Sequence, residues 1–231
     1  MLARDWYYTQ RRRVGLDTAV ASIYDNREDN DARARQALAM LGVQPGWRIA
    51  DIGCGNGVLA TEAALMGAEV DAIDISPAML GLAEIYARDR KARIRTQPAG
   101  LLSFAYQPNS YDLIVSEFTL HHLPDFWKAV AMSRIFNALK PGANFYLRDM
   151  VFVSMPDGLD RDVEGWADFS IKNHDFERDS VMTHMRDEYS TFGWVMERML
   201  TETGFTLVAA DYHAPLHGTY LLRKPTPDEQ I

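Results

Sequence analysis

The sequence predicts an α/β fold, a doubly wound and mostly parallel sheet of seven strands with an N-terminal helical cap and a helical lid inserted after the fifth strand. Three observations predict it. From residue 47 onward, short apolar runs alternate with longer helical segments, the pattern of parallel strands joined by crossover helices. A glycine-rich turn, Asp51-Ile52-Gly53-Cys54-Gly55-Asn56-Gly57, stands where the first strand gives way to a helix. The last two strand-like runs are joined by a short connection with no room for a crossover helix, so one strand near the end runs antiparallel.

The elements follow in order. Residues from about 2 to 40 read as helical, and Pro45-Gly46 punctuates the boundary after them. Residues 47–52 are a short apolar strand, and 58–66 a helix stopped at Gly67. Residues 69–73 are the second strand; the helix after it, 77–88, has Ser76 as its cap and Pro77 at its first position. The third and fourth strands are expected at 92–97 and 111–116. An amphipathic helix over 124–139 is closed by Lys140-Pro141-Gly142, and the fifth strand is 143–151. A helix over 191–203 stops at Gly204, and strands at 205–211 and 219–223 complete the sheet. Residues 154–190 break the alternation, because a short loop is usual at that place. Trp166, Phe169, Met182, Met185 and Tyr189 make this segment apolar enough to be a lid, or an insertion packing a small core of its own.

Composition narrows the function. A chain of 231 residues, 47% hydrophobic and 24% charged, buries roughly 70% of its unfolded surface and needs no disulfide or metal staple. Cys54 is the one cysteine, which excludes an intrachain disulfide and agrees with a reducing cytoplasm. The formal net charge of −8 argues against a general grip on nucleic acid. Arg11-Arg12-Arg13, beside Trp6, Tyr7 and Tyr8, reads as a solvated helix face. No stretch is apolar for long enough to span a bilayer, and no signal-peptide core is expected at the N-terminus.

Glycines at a strand-to-helix turn allow positive φ and let a ligand approach bare backbone. Dinucleotide enzymes use such a turn too, but they need G-x-G-x-x-G, and here the third glycine comes one residue early. Asp51 precedes the glycines; it opposes a pyrophosphate and suits a ligand ammonium. Asp74 ends the second strand about 20 residues further on, where a carboxylate accepts the two hydroxyls of a ribose. With Ser76 capping the next helix, Asp74 is left for a ligand.

The order of motifs is distinctive: the glycine turn, then Asp74-Ile75-Ser76, then Tyr111-Asp112-Leu113-Ile114-Val115-Ser116, then Leu120-His121-His122-Leu123-Pro124-Asp125, then Leu139-Lys140-Pro141-Gly142. It resembles the class I S-adenosylmethionine-dependent methyltransferases, in the broad group similar to small-molecule methyltransferases. The likeness covers roughly residues 40–153 and continues in the final strand pair. It implies a Rossmann-like single domain: a cap at 1–44, a cofactor-binding core at 45–153, the lid insertion at 154–190, and a C-terminal helix and strand pair at 191–231. It implies S-adenosylmethionine as methyl donor, S-adenosylhomocysteine as product and a small organic acceptor. Gly53 and Gly55, with Cys54 between them, would pass under the methionine part; Asp51 would meet its amino group; Asp74 would hold the ribose. Ile75 and Met79 would flank the adenine, and Ser116 and Glu117 would lie near the methionine end. The family often has an acid after the third strand for the adenine amino group. Here the sequence is Gln97-Pro98-Ala99-Gly100-Leu101, which leaves adenine to the backbone of Ala99, Gly100 and Leu101.

Candidates for work on the acceptor are His121, His122 and Asp149. Either histidine could orient or deprotonate an acceptor, or else pack beneath the loop. Asp149 lies at the correct edge of the sheet for substrate contact. His184 and Glu188, four apart, read as a surface pair, and two ligands make no metal site, so no metal is expected. His213 and His217 straddle Pro215, where helical spacing does not apply. Cys54 reads as a small packing residue. A base methylase of nucleic acid is disfavoured because Ser116-Glu117-Phe118-Thr119 stands where such enzymes have D/N-P-P-Y/F. A non-catalytic S-adenosylmethionine-binding sensor or partner subunit is the rival from another class. Two aromatic covers are expected over the acceptor: the N-terminal segment carrying Trp6, Tyr7, Tyr8 and Tyr24, and the insertion.

Overall fold

A computed structural model describes residues 27–174, 177–213 and 216–229. Most of the expected N-terminal cap, with Trp6, Tyr7, Tyr8 and Tyr24, lies outside the described residues, as does Phe176. The described chain begins in α1 (Arg27–Met40) and continues β1 (Arg48–Ile52), α2 (Val58–Leu65), β2 (Glu69–Asp74), α3 (Pro77–Asp89), β3 (Arg95–Pro98) and β4 (Tyr111–Glu117). It then forms a 3₁₀ turn at Leu120–His122, α4 (Asp125–Ala138), β5 (Leu139–Phe152), α5 (Leu159–His174), α6 (Arg178–Asp187), β6 (Thr191–Phe192), α7 (Gly193–Glu202), β7 (Thr206–His213) and β8 (His217–Arg223).

The strands lie in the order β3-β2-β1-β4-β5-β8-β7, seven along one path, and the short β6 pairs with β5 off that path. On that path β8 runs opposite to the other strands, pairing antiparallel with β5 and β7. The alternation of apolar side chains along β1, β2, β4 and β5 feeds two cores. On one face Ala37 and Leu38 of α1, Leu59 and Ala63 of α2 and Leu80 of α3 pack on Ile49, Val70 and Leu113. On the other, Met132 and Ile135 of α4 and Met196 and Leu200 of α7 pack on Ile114, Phe145 and Leu147. The sheet is therefore buried on both sides, as a doubly wound parallel sheet requires.

Several boundaries differ from the sequence reading. β5 begins at Leu139, because Lys140-Pro141-Gly142 bulges out of the ladder between Tyr111 and Leu113 and does not end it. β3 begins at Arg95, three residues later than expected. Residues Thr191 and Phe192 pair with Val151 and Phe152 before the helix starts at Gly193. The insertion is helical, α5 and α6. Trp166, Ala167 and Val181 form a third, small core with Met150 and Leu216, against which Phe118 and Phe152 pack. Among the described residues, no helix is long and apolar enough to cross a membrane.

Candidate cofactor and acceptor site

All three glycines of the turn have positive φ: 79° at Gly53, 54° at Gly55 and 77° at Gly57. At Gly53 the reason is also steric, since an added Cβ would stand 2.0 Å from the Thr119 hydroxyl. At Gly55 no atom lies within 4 Å of an added Cβ, and the residue faces open space. The N–H groups of Gly53 and Cys54 both donate to the Ile73 carbonyl, at 2.7 and 2.9 Å, which pins the turn over the end of β2.

Behind the turn is a cavity of about 400 Å³ at the carboxyl ends of β1, β2, β4 and β5, where open α/β sheets place their ligands. Asp51, Gly53, Cys54, Gly55, Asp74, Ile75, Met79, Ala99, Gly100, Leu101 and Glu117 all line it, which gathers eleven of the twelve residues expected around a cofactor. The twelfth, Ser116, does not line it. That side chain is fully buried and donates to the Ile52 carbonyl at 3.0 Å, so Ser116 ties β4 to β1 and does not reach a ligand.

The polar groups differ in how they are satisfied. Asp74 Oδ2 accepts from the Gly55 N–H at 3.0 Å and Oδ1 from the Ser76 N–H at 2.8 Å. Asp51 is 4% exposed, and its Oδ2 has no hydrogen-bond partner among the described residues. Burial, helped by the nearby charges of Glu117 and Asp74, pushes its pKa up to about 8. Burial, with Asp51 and Asp74 close by, pushes the Cys54 thiol up as well, which suits a packing role. Glu117 is taken by Arg33 of α1, whose two terminal nitrogens reach its two oxygens at 2.7 and 2.9 Å. After β3, the Ala99 N–H donates to the Asp74 carbonyl at 3.1 Å and the Gly100 N–H to Ser103 Oγ at 2.9 Å. Two of the three amide N–H groups of Ala99, Gly100 and Leu101, whose backbone was expected to read adenine, are therefore bonded within the fold.

The expected acceptor residues separate. Asp149 is fully buried and does not face the cavity. It accepts from the Leu120 N–H (2.7 Å), the His121 N–H (3.2 Å) and the Met150 N–H (2.7 Å), and lies 2.5 Å from His121 Nδ1. Asp149 therefore shapes the 3₁₀ turn and is not placed for substrate contact. Burial works to raise its pKa, but His121 and the Met150 amide hold it below the ordinary carboxylate value. His121, 3% exposed, is the partner of Asp149 and also stays off the cavity wall.

His122 does face the cavity. Its Nδ1 lies 2.5 Å from Glu188 Oε2, so Glu188 reaches inward from the end of the insertion; the His184 side chain expected beside it lies outside the described residues. Two bonds hold it there. The Tyr189 N–H donates to the His121 carbonyl at 2.7 Å, and the fully buried Lys128 ammonium donates to the Tyr189 carbonyl. The donor atoms of His121, His122 and Glu188 all lie within 4.8 Å of one another.

Several wall residues were missed: Arg33, Phe118, Thr119, Arg148 and His217. Arg148 had a visible signal, a cation at the carboxyl end of a strand on the same face as Tyr146. Phe118 is held at φ 52°, a rare conformation for an aromatic residue, with its N–H bonded to the Arg148 carbonyl at 2.7 Å.

Residues 49–142 match the family model of a methyltransferase domain. That stretch holds the glycine turn, Asp74 and β4, and the match supports the class I S-adenosylmethionine-dependent methyltransferase superfamily. It is 33% identical over 141 residues to the 27-O-demethylrifamycin SV methyltransferase of Amycolatopsis mediterranei, covering 59% of this chain and 51% of that protein. It is 33% identical over 105 residues to a ubiquinone biosynthesis O-methyltransferase of Xanthomonas campestris, covering 45% and 43%. The chain thus spans about half the length of the curated relatives it matches. The Haemonchus contortus phosphoethanolamine N-methyltransferase 2, solved with S-adenosyl-L-methionine, shares the fold at a TM-score of 0.71 and 19% identity, over 95% of this chain and 60% of that one.

Proposed function

We propose that this protein is a methyltransferase that binds S-adenosylmethionine in the cavity behind the glycine turn and acts on a small organic acceptor in a reducing, cytoplasmic setting. The observation that carries the reading is Asp51, a buried carboxylate at the foot of that turn whose Oδ2 lacks a partner among the described residues. A buried polar atom left unpaired is costly, and an ammonium group satisfies both its hydrogen-bonding and its charge. The rest of the wall fits the same ligand. Gly55 leaves room for a methionine chain. Asp74 presents its carboxylate on the cavity wall, oriented by the Gly55 and Ser76 amides. Ile75, Met79 and Leu101 offer apolar faces to a purine.

When bound, the cofactor supplies an electrophilic methyl group on a sulfonium. The chain's own residues have two tasks, to hold an acceptor in line with that carbon and to take a proton from it. His122 is placed for the second. Glu188 fixes the ring through Nδ1 and stabilises the imidazolium that forms, so the acceptor proton enters at Nε2. The small core under α5 and α6 closes over the same edge and keeps water from the nucleophile.

Calorimetry tests the cofactor reading. S-adenosylmethionine and S-adenosylhomocysteine are expected to bind at about micromolar Kd, roughly 8 kcal/mol. Asp74→Ala is expected to weaken binding by about 1–3 kcal/mol. Neither ligand giving heat or a thermal shift would overturn the proposal. NAD binding in their place would point to an oxidoreductase. Binding with no transfer to any acceptor in a screen of aromatic and amine metabolites would favour a sensor or partner subunit.

A further inference from the structure

We infer that Arg148 is an anion anchor in the acceptor half of the cavity, and that the acceptor is a small organic acid whose carboxylate it holds. The inference deepens the reading above and rests on it. Two guanidinium groups stand on the wall, Arg33 and Arg148. Arg33 is used, since both of its terminal nitrogens are bonded to Glu117. The Arg148 side chain makes no hydrogen bond or ion pair among the described residues; its guanidinium lies over the Phe118 ring, 4.9 Å from the centroid. A planar guanidinium stacked on an aromatic face, with its N–H edge unspent, is preorganised for bidentate carboxylate recognition. Burial first, and then the neighbouring Arg33, hold its pKa below the ordinary value against the pull of Glu117 and Tyr146, so an anion beside the guanidinium offsets a desolvation cost.

The surroundings select the kind of anion. His217 packs edge-on against Phe118, with ring centroids 5.1 Å apart. Burial above all, with Arg148 next, pushes its pKa down to about 4. It therefore stays neutral at pH 7 and adds no second positive charge, so one negative charge suffices. Phe118 and Leu123 make the adjoining wall apolar, which suits a flat or aliphatic body behind the carboxylate.

A carboxylate at Arg148 has two possible sources, the acceptor or the methionine end of the cofactor. Strand order favours the acceptor. Arg148 lies on β5, opposite Glu117 of β4, while Asp51 lies on β1, and β4 separates the two. Neighbouring strands are about 4.8 Å apart, which sets β5 roughly 10 Å from β1. The methionine ammonium and carboxylate share one carbon, so a cofactor held by Asp51 keeps its carboxylate on the β1 side, near the Arg33–Glu117 pair.

The test titrates S-adenosylhomocysteine, then benzoate and its neutral isostere benzamide, onto the parent, Arg148→Gln and Arg148→Lys, by calorimetry and ligand-observed NMR. With S-adenosylhomocysteine bound, the parent is expected to prefer benzoate over benzamide by about tenfold or more. Arg148→Gln is expected to erase that preference while the S-adenosylhomocysteine Kd moves by less than about twofold. Arg148→Lys, which keeps the charge and loses the fork, is expected to fall between them and serves alone if the glutamine variant does not fold. Equal binding of benzoate and benzamide by the parent, or no binding of either at about 10 mM, overturns the anchor. A tenfold loss of S-adenosylhomocysteine affinity in Arg148→Gln also overturns it, assigning the guanidinium to the cofactor's own carboxylate. If the parent binds no S-adenosylhomocysteine, the cofactor reading falls, and the benzoate–benzamide comparison on the protein alone still decides the anchor.

Discussion

Replacing Asp149 by asparagine separates shaping the site from touching the acceptor. The carboxylate serves four donors with two oxygens: Oδ2 takes the Leu120 and His121 amides, and Oδ1 takes the Met150 amide and faces His121 Nδ1. An asparagine keeps one acceptor oxygen. With that oxygen toward Leu120 and His121, its NH₂ group faces the Met150 N–H, and one buried donor loses its acceptor. The imidazole can change tautomer and accept, so His121 need not be lost as well. One unsatisfied buried donor costs about 1–3 kcal/mol. At about 2 kcal/mol, a chain of this size melts about 4–8 °C lower. The pH dependence follows from the same contacts. Because the folded Asp149 titrates below its ordinary value, its contribution is complete above the unfolded pKa of about 3.9 and is lost as pH falls through the folded value. The gap between parent and variant is therefore wide at pH 7 and closes in acid. Thermal and urea unfolding followed by circular dichroism at both pH values measure it. A variant that unfolds with the parent's midpoint yet has lost methyl transfer would refute this account and return Asp149 to the acceptor.

Other substitutions probe the remaining parts. Below pH 8, an ammonium binding at Asp51 displaces the proton held there, so the heat of S-adenosylhomocysteine binding should vary with buffer ionisation enthalpy, and Asp51→Asn should remove that variation. Without ligand, the folded Asp51 keeps a proton that the unfolded chain gives up, so its contribution to stability falls as pH rises from about 4 to 8; Asp51→Asn should flatten that slope in chemical unfolding. Gly53→Ala is expected to destabilise more than Gly55→Ala, because only the first drives a Cβ into Thr119. Gly55→Ala pays about 1–2 kcal/mol for its backbone conformation and should chiefly weaken S-adenosylhomocysteine binding; equal midpoints would count against this. Glu188→Gln and His122→Asn should each lower the transfer rate by about 10²–10⁴-fold with cofactor affinity nearly unchanged. Activity should survive chelation by EDTA; loss on chelation and recovery with a divalent ion would put a metal among His121, His122 and Glu188 in place of proton transfer.

Sequence made the cofactor half of the site legible because its parts are local. Glycines at fixed offsets, an acid before them and Asp74 at the next strand end each carry their reason within a few residues. The acceptor half depends on contacts between distant segments. Ser116 and Glu117 are adjacent in sequence, but strand pleating sends one under β1 and the other to the cavity wall. Asp149 sits at the right edge, yet Leu120, His121 and Met150 claim it from within the fold. Glu188 looked like the helical neighbour of His184. Its place opposite His122, 66 residues away, depends on a backbone bond from Tyr189 and a buried lysine on α4, neither of which has a local pattern. Strand ends moved for a similar reason, since the bulge at Lys140-Pro141-Gly142 is set by pairing with β4 and its sequence reads as a stop.

The two-residue β6 carries a consequence for how such a protein can vary. The chain leaves β5 at Phe152 and returns as Thr191–Phe192 paired to Val151 and Phe152 of that same strand, so departure and re-entry lie about one strand spacing, 4.8 Å, apart. Everything between hangs from a closed stem. A stem of that kind tolerates changes in the length of its contents at little cost, because closure entropy grows only with the logarithm of loop length, about 0.6 kcal/mol per doubling. Residues 153–190 are in this sense an exchangeable cassette, free to change in length while the glycine turn and the sheet stay as they are.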